Sequence, residues 1–74
     1  NRNNWRIIMV HLIETISGEV TQVITFLDSP GYSALEAAEI LAKNLCLANG
    51  IEFEGKISCD NSPQEYSVQI FEVE

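Results

Sequence analysis

Histidine occurs once in this 74-residue chain, proline and cysteine twice each, and lysine and arginine together four times. Each scarcity removes a class of function. His11 is the only histidine, and Cys46 and Cys59 have no CxxC spacing, so neither a zinc centre nor another metal site is expected. Four basic against eleven acidic residues leave a formal charge of −7. Such a surface repels phosphate backbones and anionic lipid, so neither nucleic acid nor membrane is an expected direct partner. No apolar run approaches the ~20 residues of a membrane-spanning helix, and no secretory leader is visible. The two cysteines are expected as buried thiols of a cytoplasmic protein (the host's cytoplasm if the chain is viral), with a Cys46–Cys59 disulfide as the alternative.

Catalytic patterns are missing as well. Ser29-Pro30-Gly31 and Asn49-Gly50 are turn chemistry rather than a phosphate loop. Glu52 and Glu54 share a strand face, but alternation produces such pairs routinely, and nothing nearby suggests a pocket or a raised pKa. No enzyme and no cofactor are expected.

What is present describes one compact domain over residues 1–74, with 1–4 frayed. Residues 5–15 and 19–28 are rich in β-branched and aromatic side chains and read as two strands joined at Ser17-Gly18. Asp28-Ser29-Pro30-Gly31 ends the second. Ser33 followed by Glu36 is a capping box that starts a helix over 34–48, and Asn49-Gly50 stops it. Ile51, Phe53, Ile57 and Cys59 alternate with polar residues and read as a third strand over 51–59. A turn at 60–63 leads to a fourth strand over 65–74. The expected fold class is α+β, ββαββ, with one helix packed on a four-stranded antiparallel sheet in two layers.

The first hairpin carries apolar residues on both faces, where a hairpin wetted on one side needs only one. With a two-residue loop, Leu12 faces Val23 and Val10 faces Thr25. Met9, His11 and Ile13 then share the other face with Val20, Ile24 and Phe26. The bulkier set, which includes Trp5, Met9 and Phe26, is expected against the alanine-rich helix. That leaves Ile8, Val10, Leu12, Val23 and Leu27 outward as an apolar partner-binding face. Phe71 and Val73 extend it if the last strand lies beside the first. A second candidate surface is acidic: Glu52, Glu54, Asp60, Glu65, Glu72 and Glu74.

Size, charge and lack of chemistry together lead to a small acidic, non-catalytic protein-binding module. The first expectation is an inhibitor whose carboxylates occupy a basic, nucleic-acid-binding surface of a larger complex. Small phage-encoded inhibitors, including anti-CRISPR proteins and other nucleic-acid mimics, share that general description, although no residue motif identifies such a family here. The alternative is a structural or regulatory homodimer formed through the apolar sheet face.

Overall fold

The structure is a computed structural model that describes residues 8–53, 58–61 and 65–73, with 58–61 described by backbone only. Five elements follow in chain order: β1 (Met9–Ile16), β2 (Glu19–Leu27), α1 (Ala34–Ala48), β3 (Ser58–Asn61) and β4 (Tyr66–Val73). Strand β1 pairs antiparallel with β2 on one side and β4 on the other. The expected sheet of four comparable strands is not what forms. Three long strands in the order β2-β1-β4 make the antiparallel sheet on which the helix packs. The four-residue β3 only flanks the far side of β4, giving the order β2-β1-β4-β3.

The reason lies just after the helix. Gly50 takes φ +76, and the backbone N–H groups of Gly50 and Ile51 donate to the carbonyls of Leu47 and Cys46 at 3.1 and 2.9 Å. This reversal is a Schellman motif, which needs a left-handed residue that glycine supplies without strain. It turns Ile51 back onto the core, where Phe53 also packs. Residues 51–53 are spent on that docking and form no strand. The alternation over 51–59 therefore records core contact at its start rather than sheet pairing. The fraying expected at 1–4, the first strand's start at 5–7 and the turn at 62–63 lie outside the described residues.

The first hairpin closes as expected at Ser17-Gly18, both with positive φ (53 and 82), the two-residue turn that matches strand twist. Ile16 pairs with Glu19 and Thr15 with Val20, but the next pair is Glu14 with Gln22. Thr21 is the extra residue of a β-bulge. Beyond it the register runs one residue later on β2, so Leu12 meets Ile24 and Val10 meets Phe26. On the other side Leu12 meets Ile70, and Tyr66, Val68 and Ile70 of β4 are buried.

Helix α1 covers this face with small residues. Ala34, Ala38, Ala42 and Cys46 have no exposed surface and form an i, i+4 row against the sheet. Leu35, Leu41 and Leu45 flank the row, and Ala48 is exposed. The helix start is held twice: Ser33 Oγ accepts from the Glu36 N–H at 3.1 Å, and Asp28 Oδ1 accepts from the Ala34 N–H at 2.8 Å. Because Asp28 shares the capping, Ser33→Ala is expected to cost only about 1 kcal/mol, read as a lowered midpoint in urea unfolding.

Candidate binding face

The bulge decides which side chains of β2 share the helix side with those of β1. Val10 and Leu12 are fully buried, and Ile8 packs against the same core. The expected outward placement of Ile8, Val10 and Leu12 is thereby corrected: these three face the helix. The bulkier set is split: Phe26 packs against the core opposite Val10, and Ile24 stands opposite Leu12, as expected, whereas Met9, His11 and Ile13 lie on the other side and Trp5 is outside the described residues. Val23 and Leu27 do point outward, 55% and 54% exposed. Their cross-strand neighbours there are Ile13 and Met9, not the Leu12 and Ile8 of the expected register.

The outer face is an ordered grid across three strands. One row is Leu27–Met9–Val73, the next Thr25–His11–Phe71, and the third Val23–Ile13–Gln69. Phe71 is 45% exposed, so the extension through the last strand is realised because β4 lies beside β1. At the centre, His11 Nδ1 lies 2.9 Å from Thr25 Oγ1, a cross-strand hydrogen bond. No Asp, Glu, Lys or Arg occupies an outward position of β1, β2 or β4 among the described residues. The helix lies on the opposite side of the sheet, so nothing described covers this face.

The carboxylates are elsewhere and apart. Glu52, Glu65 and Glu72 are exposed. Glu65 precedes β4 and Glu72 sits near its far end, roughly 23 Å away at the rise of an extended strand. Glu72 pairs with Val10 and so belongs to the helix-facing side. Asp60 stands opposite Ser67 in β3. Its side chain, with Glu54 and Glu74, lies outside the described residues. The expected acidic surface is thus not gathered into one cluster by the carboxylates that are described.

One carboxylate was not singled out from sequence. Glu14 is buried at the turn end of the inner face. Its Oε2 accepts from the Tyr66 hydroxyl at 2.6 Å, and its Oε1 accepts from Thr21 Oγ1 at 2.8 Å and Gln22 Nε2 at 3.1 Å. The Tyr66 bond, helped by those from Thr21 and Gln22, holds its carboxyl below the ordinary glutamate value of 4.5 against the opposing effect of burial. Three donors around one carboxylate make a structural clasp between β1, β2 and β4. Its sequence signal, a glutamate at an inward strand position, becomes readable only once the register is known.

Among the described residues no group of His, Cys, Asp and Glu could hold a metal ion, and no helix is long and apolar enough to cross a membrane. Cys46 is buried in the helix row. The side chain of Cys59 lies outside the described residues, and the choice between thiols and disulfide lies there with it. No protein-family model, curated protein or solved structure matches the chain.

Proposed function

We propose that this chain is a small, non-catalytic protein-binding module that works in the cytoplasm and makes its contact through the helix-free face of the sheet. The observation that carries the reading is the segregation of charge. A chain of formal charge −7 keeps every described outward position of its three long strands uncharged, and fills half of them with Met9, Ile13, Val23, Leu27, Phe71 and Val73. Exposed apolar patches rimmed by polar residues commonly mark interaction surfaces. The surrounding carboxylates keep such a molecule soluble.

A photo-crosslinking residue at Gln69, a polar corner of the grid, tests this in cells that express the protein. The expected result is a discrete protein adduct that disappears when Ile13→Glu is added. Absence of any adduct, or an adduct indifferent to both Ile13→Glu and Val23→Glu, overturns the reading.

The exposure of Glu52, Glu65 and Glu72 favours a second reading, an inhibitor that sets its carboxylates against a basic, nucleic-acid-binding surface, as small phage-encoded inhibitors of the anti-CRISPR kind do. Its binding would weaken steeply with salt and be lost in a Glu52→Lys, Glu65→Lys variant. Contact through the uncharged face would be nearly indifferent to both.

A further inference from the structure

We infer that the occupant of the outer face is a second copy of this chain, in a sheet-on-sheet dimer. The inference rests on the protein-binding reading and names the partner. Two copies carrying −7 each repel over most of their surfaces. The three long strands bear no described charge on this face, and Asp60, which shares it by register opposite Ser67, stands only on the flanking β3, so two copies meet here with the fewest opposing carboxylates. A basic partner would find no carboxylate on those strands to pair with. A second copy brings a matching surface, apolar with neutral polar residues, and sheets stack face to face in this way.

The size of the face sets the strength of the contact. Three strands of about eight residues span roughly 14 by 25 Å. Two such faces cover roughly 700 Å², below the ~1,000 Å² of a stable specific contact and in the range of weak, transient ones. The dimer is therefore weak and concentration-dependent.

Sedimentation equilibrium of the full chain at pH 7.5 tests the inference. The expected result is a dimer that forms as the concentration rises toward about 1 mM. Ile13→Glu is expected to be monomeric over the same range with an unchanged circular dichroism spectrum. A wild-type monomer up to about 1 mM, or a dimer indifferent to Ile13→Glu, overturns the inference. The crosslink at Gln69 separates this failure from failure of the parent reading. An adduct to a different protein sinks the second copy and leaves the binding face standing, whereas no adduct sinks both.

Discussion

Leu12→Glu is expected to leave the chain unfolded, while Ile13→Glu, one residue further along β1, is expected to leave it folded. Leu12 is fully buried, with Ile24 and Ile70 as its cross-strand neighbours, so a carboxylate there would meet aliphatic carbon on both sides. The exchange forfeits about 2–3 kcal/mol of apolar burial. It adds several kcal/mol for an unsolvated charge or for keeping that group protonated. Against a total stability of roughly 4–11 kcal/mol for a domain of this size, that is enough to unfold it. Ile13 lies on the side the helix does not cover, and its substitution is expected to change stability by less than about 1 kcal/mol. Far-ultraviolet circular dichroism and urea melts of the two variants decide the matter. If Leu12→Glu stayed folded and Ile13→Glu did not, the assignment of the two sheet faces would be reversed.

The second large effect belongs to Glu14. Replacing it with alanine removes the acceptor of the hydrogen bonds from Tyr66, Thr21 and Gln22 and leaves a gap beside the buried tyrosine. Hydrogen bonds to a charged group contribute about 1.5–3 kcal/mol each, less what the donors recover from water. A net loss of about 2–4 kcal/mol is expected in urea unfolding at pH 7. The pH dependence has a definite sign. The folded carboxyl titrates below the ordinary value of 4.5, so its contribution is complete above that pH and is lost as the pH falls through the lowered folded value. Tyr66→Phe removes the largest cause of the lowering, so in that variant the acid-dependent loss is smaller and is complete at a higher pH. Identical acid-unfolding profiles for wild type and Tyr66→Phe would show that the hydroxyl does not hold the carboxylate.

Local chemistry made much of this fold legible. The Ser17-Gly18 turn, the Ser33 cap and the Asn49-Gly50 stop each depend on a few adjacent residues, and each stands where the residue types place it. Strand register is not local. Both β1 and β2 carry apolar residues at odd and even positions, so hydrophobicity could not say which set faces the helix. One unpaired residue, Thr21, sets which residues of β2 share a face with which residues of β1, and a threonine within a threonine- and valine-rich strand gives no sign that it will bulge. The presence of an uncovered apolar face was legible, because two apolar parities cannot both be buried under one helix. Its membership was not, beyond Val23, Leu27 and the conditional Phe71 and Val73. The third strand misled for a related reason. The alternation of Ile51 and Phe53 reflects a side chain folded back under a helix end, which a period of two cannot distinguish from a pleat.

The order of strands also has a consequence for how the molecule is made. β1 is the centre of the sheet, yet one of its two neighbours lies far along the chain: Tyr66 is 52 positions beyond the Glu14 it clasps. At synthesis rates of about 5–20 residues per second, the first hairpin waits roughly 3–10 s for the strand that completes its core. During that interval it presents greasy side chains on both of its surfaces, and a neighbouring nascent hairpin is the nearest thing that could cover them. The acidic residues that follow emerge in the same seconds, and their mutual repulsion holds unfinished chains apart until each can close on itself.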